Sequence, residues 1–135
     1  MISSSRNEHA ALLVDTHIFL WLRTTPAVLT AGERTLLDEA GSLFVSIVTI
    51  WEIAILMTLS RIGRNETLLR VPNGFELLPL QLEHCREVID LPRHHRDPFD
   101  RMLIAQARFE KLPLLTRDRA IANYADAGLI VLTRR

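Results

Sequence analysis

Asp15 ends the apolar run Leu12-Leu13-Val14, and Asp118 follows Leu114-Leu115-Thr116, so two acids stand where the chain leaves a short, continuously hydrophobic segment. Glu52 is the only charge between Ile47 and Met57, and Asp100 opens an apolar helix. An all-apolar run of this length fits a strand covered on both faces, as in the parallel sheets of α/β proteins. A carboxylate at the edge of such an interior needs a partner, or it is neutralised or expelled. These segments hold no Lys and few Arg, so a hard divalent cation with oxygen ligands is the simplest partner common to all four acids. The chain is thereby restricted to folds that bring the ends of separate strands together.

The rest of the sequence alternates strand and helix. Ala11 to Val14, Leu43 to Val45, Phe75 to Leu78, Leu114 to Thr116 and Ile130 to Leu132 read as strands. Helices are expected from Thr16 to Arg23, from Thr30 as N-cap to Ala40 before Gly41, and from the capping Ser46 to about Ile62, where Gly63 stops the pattern. Asn65 to Arg70 reads as a short helix before the Pro72-Asn73-Gly74 turn, Gln81 to Asp90 as a helix, and Arg119 to Ala125 as another. Asp97-Pro98 is a strong helix start, with Asp97 as N-cap and Pro98 at the first helical position of a segment running to about Lys111. This order predicts an α/β fold with a mostly parallel sheet covered by helices on both faces. In such sheets sites form beyond the carboxyl ends of the strands, where Asp15 and Asp118 fall. Ser46, Thr49 and Glu52 are spaced by three and share a helix face that can point into the same crevice.

Composition sets the outer bounds. A chain of 135 residues, 48% hydrophobic, makes one domain with a true core, expected over residues 11–135 after a loose polar tail at residues 1–10. One cysteine, Cys85, excludes an internal disulfide and suits a reducing cytoplasm, which is the expected location. Sixteen basic residues balance sixteen acidic ones, so the surface is not that of a polyanion-coating protein and any nucleic-acid contact is local. The longest apolar stretch, Ile47 to Leu59, is interrupted by Thr49, Glu52 and Thr58 and is too short to span a bilayer.

Each acid also has a plainer reading. Asp15 and Asp118 can cap the helices that follow them, Glu52 can sit at a helix edge, and Asp100 can stand in for a capping-box acid. For Asp97 the cap is the favoured role. All the plain readings must hold together to remove the site.

Four blocks resemble a known family: Leu13-Val14-Asp15-Thr16-His17, the segment Val45 to Ala54 containing Trp51-Glu52-Ile53, the segment His95 to Ala107 containing Asp97-Pro98-Phe99-Asp100-Arg101, and Leu115-Thr116-Arg117-Asp118. In this order, from Leu12 to Leu132, they look like PIN-domain ribonucleases and more closely like the VapC-type toxins of bacterial type II toxin-antitoxin pairs. The resemblance implies a three-layer α/β/α sandwich with a five-stranded sheet, Mg²⁺ or Mn²⁺ dependence, endonucleolytic cleavage of RNA, a cognate antitoxin and a homodimer. It places the catalytic acids on Asp15, Glu52, Asp100 and Asp118, with Asp97 as an adjacent extra, and Thr116 on the hydroxyl residue that precedes the last acid. Leu56-Met57 departs from the pattern, since many relatives carry a basic residue there, and this implies a more hydrophobic partner groove between the Ile50 to Leu59 stretch and the helices from Asp15 to Ala40.

On this reading Asp15 and Asp100 are the principal metal ligands, with Glu52 and Asp118 supporting them or serving a second ion. Thr16, Ser46, Thr49 and Thr116 are candidates to orient the carboxylates by hydrogen bonds. Arg96, Arg101, Arg117 and Arg119 flank the acids as candidate RNA-phosphate contacts, with salt bridging as the alternative for any one of them. His94 and His95 read as polar surface. Two competing functions stay open: a PIN-like binding module with a structural cation and no catalysis, and an aspartyl-phosphate phosphatase. The phosphatase is disfavoured because His17 stands where a second Asp is needed.

Overall fold

The structure is a computed structural model that describes residues 10–93, 96–124 and 131–132. Of the expected tail only Ala10 is described, and the His94-His95 pair lies outside the described residues.

Ala11–Val14 forms strand β1, and its alternating side chains divide the interior into two cores. Leu12 and Val14 face one side of the sheet and Leu13 the other, all three buried. Helix α1 (Thr16–Thr24) follows at once, then a 3₁₀ turn at Pro26–Val28 and helix α2 (Ala31–Glu39). Strand β2 (Ser42–Ser46) leads into helix α3 (Ile47–Thr58), and a second 3₁₀ turn at Glu66–Leu69 precedes strand β3 (Phe75–Leu78). Helix α4 (Leu82–Asp90), helix α5 (Pro98–Glu110), strand β4 (Leu114–Leu115), helix α6 (Arg119–Ala122) and strand β5 (Val131–Leu132) complete the order.

The sheet is parallel throughout, in the order β3-β2-β1-β4-β5. Its body is the four strands β3 to β4, and β5 adds a two-residue pairing of Leu114 with Val131 and Leu115 with Leu132 at the edge. Helices α1, α2 and α3 cover the face of Val14, Val45 and Leu115 through Ile18, Phe19, Leu37 and Ile53. The other face, with Leu13 and Leu114, receives Val88 of α4, Ile104, Ala105 and Ala107 of α5, and Ile121 and Tyr124. Each fully buried Leu, Ile or Phe contributes about 1.5–3 kcal/mol relative to exposure, so the double covering explains why two- and four-residue strands persist.

Between β1 and β4 the strand order reverses: the chain moves from β1 to β2 and β3 on one side, and β4 returns to pair with β1 on the other. Val14 lies between Val45 and Leu115 in register, so the ends of β1 and β4 open side by side. That opening is where α/β sheets place ligands.

Several boundaries differ from the sequence reading. Helix α3 ends at Thr58, short of Ile62, because Ser60 adopts a left-handed φ of 56° and the Arg61 N–H folds back to Leu56 O at 2.9 Å. This backward bond satisfies an end carbonyl without needing Gly63. The segment after Asn65 is a 3₁₀ turn rather than an α-helix, capped by the Asn65 side chain on Thr67 N at 3.2 Å. Thr30 caps α2 in a reciprocal box with Glu33, as its position before the helix leads one to expect.

Candidate functional site

Asp15 sits on the step from β1 into α1, almost fully buried at 4% exposure. One carboxylate oxygen accepts from Ile18 N at 2.9 Å, which caps α1, and the other accepts from the Thr116 hydroxyl just beyond β4. Both the capping role and the interior position are therefore real. Burial pushes the Asp15 carboxyl above its ordinary value, against the hydrogen bonds of Thr116 and Ile18 and the charge of His17. The nearby Asp118 carboxylate pushes the same way.

Glu52 reaches the crevice from the second turn of α3. The Thr16 hydroxyl donates to its Oε1 at 2.8 Å, and Thr16 Oγ1 lies 3.0 Å from Thr49 Oγ1. Thr16 has a single hydroxyl proton, which goes to Glu52, so Thr49 donates to Thr16. Burial pushes the Glu52 carboxyl up, the Asp97 carboxylate adds to this, and Thr16 and His17 oppose it. Thr16 follows Asp15 in the chain, so the step from β1 into α1 supplies one acid and the hydroxyl that orients another.

Asp97 is the N-cap of α5, its Oδ1 accepting from Phe99 N at 2.8 Å and Asp100 N at 3.2 Å. Glu52 nevertheless feels its charge, so Asp97 belongs to the acidic region as well as to the cap. Asp100 lies in the same first turn, half-buried. Asp118 caps α6 through Ala120 N at 2.8 Å, while its own N–H donates to Thr116 Oγ1 at 3.0 Å. Thr116 thus joins two acids from one hydroxyl. The Asp118 carboxylate acts electrostatically on Asp15, and the Asp97 carboxylate on Glu52. Among the described residues, no three His, Cys, Asp or Glu side chains stand close enough to enclose a metal ion by themselves.

Three of the sequence-based assignments change. The Ser46 hydroxyl turns away from the acids: it donates to Gln106 Oε1 at 2.5 Å and accepts from Val48 N at 2.9 Å, capping α3. Arg101 binds within the fold, to Pro92 O at 3.0 Å, Val88 O at 3.1 Å and the Tyr124 hydroxyl at 3.2 Å. Arg117 forms a two-pronged ion pair with Glu33, at 2.8 and 2.6 Å, and lies 4.4 Å from the centre of the Trp21 ring. These two arginines take the salt-bridging and structural alternative rather than the phosphate-binding one. Arg96 and Arg119 are exposed.

Sequence reasoning also passed over groups that support the crevice. Glu33 is buried beneath Arg117, and this pair ties the β4 exit to α2. Burial pushes the Glu33 carboxyl up, but the Arg117 and Thr30 hydrogen bonds outweigh it and hold the group below its ordinary value. Behind the sheet, buried Gln106 links Ser46 to Pro79 O and to the ring of buried His84. His84 Nδ1 accepts from Gln81 N at 3.0 Å, so its proton sits on Nε2 and faces Glu110 Oε2 at 2.8 Å. Its place as the lone polar residue in the stretch Met102 to Ala107 was the available signal for Gln106. The exposed ring of Trp51 packs edge-on against Phe99, with centroids 5.0 Å apart; the apolar stretch around it concealed its exposure.

Comparison with known proteins agrees with this fold. Among solved structures, the VapBC2 complex from Rickettsia felis bound to a DNA fragment from its promoter is similar at a TM-score of 0.66 and 12% identity, covering 91% of this chain and 98% of that one. The toxin-antitoxin complex VapBC-5 from Mycobacterium tuberculosis is similar at 0.63 and 20% identity, over 93% and 98% of the two chains. FitAcB from Neisseria gonorrhoeae is similar at 0.60 and 18% identity, over 90% and 96%. At these identities the likeness is one of fold. Comparison with curated proteins by sequence gives no match. The family model for the PIN domain matches residues 12–127, from β1 past α6, and the chain belongs to the PIN-domain family.

Proposed function

We propose that the protein is the toxin of a toxin-antitoxin pair, an endoribonuclease that hydrolyses RNA phosphodiester bonds with Mg²⁺ or Mn²⁺ at Asp15, Glu52, Asp100 and Asp118. One observation carries the reading. A buried carboxylate, Asp15, stands at the strand-order reversal with a second acid beside it, and burial and like charge both raise its pKa. Structural acids are ordinarily paired with cations, as Glu33 is with Arg117; a buried carboxylate whose pKa is raised by burial and by a neighbouring acid is a mark of functional sites.

The donor set suits a hard divalent ion. Its atoms are anionic oxygens, and Mg²⁺ takes one or two carboxylates while keeping several waters, so a closed cage of side chains is not required. When bound, such an ion supplies a nucleophilic water at neutral pH and relieves charge on the phosphoryl transition state. The protein's own contribution is orientation. Ile18 N and Thr116 Oγ1 hold the two oxygens of Asp15, Thr49 and Thr16 hold Glu52 in relay, and the Arg117–Glu33 pair fixes the segment that carries Thr116 and Asp118. Exposed Arg96 and Arg119 are the remaining candidates to meet RNA phosphates.

Support for a protein partner comes from the solved structures of similar fold, which are themselves toxin-antitoxin complexes. A cavity of about 770 Å³ between α1 and the end of α3, lined by Leu20, Trp21, Leu56 and Ile62, is where an amphipathic antitoxin segment would insert. The homodimer expected from the resemblance belongs to the same proposal.

The decisive experiment is cleavage of single-stranded RNA by the purified protein with Mg²⁺, with Mn²⁺ and in chelator. Metal-dependent cleavage that Asp15→Asn abolishes supports the proposal. RNA left intact while Mg²⁺ still raises the melting temperature supports instead a non-catalytic module with a structural cation.

A further inference from the structure

The segment that opens α3 touches α5 at two points. At one, the exposed Trp51 ring lies edge-on to Phe99, beside Glu52 on the first helix and Asp97 and Asp100 on the second. At the other, fully buried Ser46 donates to fully buried Gln106 at 2.5 Å. Ser46 precedes Trp51 and Gln106 follows Phe99, so the two elements pass in opposite senses, with the acids at the outer contact and the amide at the inner one. The chemistry assigned to the acids makes no use of the inner contact, yet a buried amide is tolerated only when its polar atoms are satisfied.

Gln106 has both ends of its amide engaged. Oε1 takes the Ser46 proton, while Nε2 donates to Pro79 O and faces His84 Nδ1, each at 3.3 Å. His84 Nδ1 accepts from Gln81 N at 3.0 Å, so it carries no proton and can only accept from Gln106. One orientation of the amide satisfies all three partners, with its oxygen toward Ser46. Ser46 and Leu78 are register partners where β2 and β3 end, and Pro79 follows Leu78, so Gln106 bridges two strand ends from α5. It grips the one residue that both ends β2 and caps α3. Replacing both partners of a buried hydrogen bond by apolar groups of the same shape is nearly neutral for stability, so what the pair adds is a fixed separation. A shift at Ser46 is carried along the helix to Glu52 in its second turn. We propose that Gln106 is a positioning residue of the acidic site: by holding the Ser46 hydroxyl it fixes the start of α3 against α5, and so sets the place of Glu52 relative to Asp97 and Asp100. The inference rests on the nuclease reading above and adds to it a residue that touches neither metal nor RNA.

The test uses the full-length protein. Gln106→Met keeps the length of the side chain without its amide, and is expected to lower kcat on an oligoribonucleotide and affinity for Mn²⁺ by about tenfold each, with KM within about threefold. Ser46→Ala should do the same, and the double variant should lose no more than the worse single one, the mark of a shared interaction. Leu91→Ala hollows the core on the same face of the sheet outside this network, and should melt lower than wild type with kcat and Mn²⁺ affinity unchanged. Trp51 supplies a readout that needs no activity. With Trp21→Phe as background it is the remaining tryptophan, and its emission should shift in Gln106→Met but not in Leu91→Ala. A lower melting temperature with kcat, Mn²⁺ affinity and Trp51 emission all unchanged assigns Gln106 to folding alone and overturns the proposal. So does a loss confined to KM, or a Leu91→Ala protein as impaired as Gln106→Met. If Gln106→Met does not fold, Ser46→Ala, which removes a single oxygen, is judged by the same measurements. RNA cleaved equally well by wild type and Gln106→Met rejects the positioning role and keeps the nuclease. A wild type that neither cleaves RNA nor binds Mn²⁺ rejects the nuclease, and Trp51 emission then decides the rest: a shift in Gln106→Met retains its hold on the border of α3 and α5, and no shift overturns it.

Discussion

Thr116 donates its hydroxyl proton to the carboxylate of Asp15 across a separation of 101 residues, and the same oxygen accepts the N–H of Asp118. One side chain thereby sets the orientation of the first acid and the approach of the last. Thr116→Val keeps the shape and removes the hydroxyl. It is expected to lower RNA cleavage and Mg²⁺ affinity by about 10–100-fold, the usual effect of losing a group that orients a ligand, with Thr116→Ser close to wild type. Metal titration beside steady-state cleavage checks both, and equal losses in Thr116→Ser and Thr116→Val would assign the residue to packing.

The acids should not respond alike. Asp15→Asn and Glu52→Gln are each expected to lower kcat/KM by more than about 100-fold, since each removes a charge aimed at the reacting region. Asp97→Asn should stay within about tenfold, because Asn caps helices as well as Asp does. A loss in Asp97→Asn as large as in Asp15→Asn would move Asp97 from the cap to the metal.

Arg117 anchors the β4 exit through Glu33 and Trp21. Arg117→Ala leaves a buried carboxylate without its cation and is expected to destabilise the fold by about 1–3 kcal/mol. Glu33 has a lowered pKa, so the stability it brings is present above its unfolded value of 4.5 and is lost as pH falls through the folded one. The gap between wild type and Arg117→Ala in urea melts should therefore narrow in acid. A constant gap down to low pH would mean that the pair contributes by packing alone.

Asp15 has the opposite sign. Its folded pKa is raised above 3.8, so the folded state holds a proton that the unfolded chain has released, and the associated stability is lost as pH rises through the folded value. Melting wild type and Asp15→Asn side by side in chelator isolates this effect from Glu33. The difference should shift in favour of the mutant as pH rises through the carboxylate range and then level off. Mg²⁺ at about 100 times its dissociation constant should add roughly 2.7 kcal/mol to wild type and less to the mutant. A difference that is flat with pH, with equal gains from Mg²⁺, would remove Asp15 from any shared metal site.

Asp15 and Asp118 were legible because local sequence defines them: each follows an apolar run, and strand ends are where parallel sheets place sites. Glu52 was legible as the lone charge of its stretch. Ser46 was misread because its partner, Gln106, lies 60 residues away, and helical spacing reveals a shared face but not the groups it meets. Arg101 and Arg117 were ambiguous for the same reason, since their partners come from other elements. The early end of α3 was hidden because Ser60 takes a left-handed turn that its residue type does not announce.

The place of β4 in the sheet bears on how the protein comes into being on the ribosome. Leu114 and Leu115 pair with Leu13 and Val14, so β1 must wait for a strand made far downstream before its second edge is closed. Pairings of such long sequence separation form late. Until then Asp15 lacks both Thr116 and Asp118, and a nascent or truncated chain is left with a half-built crevice however well α1 to α3 have folded around it. On the nuclease reading, a chain that stops before Thr116 and Asp118 lacks the groups that orient Asp15 and is expected to leave RNA intact.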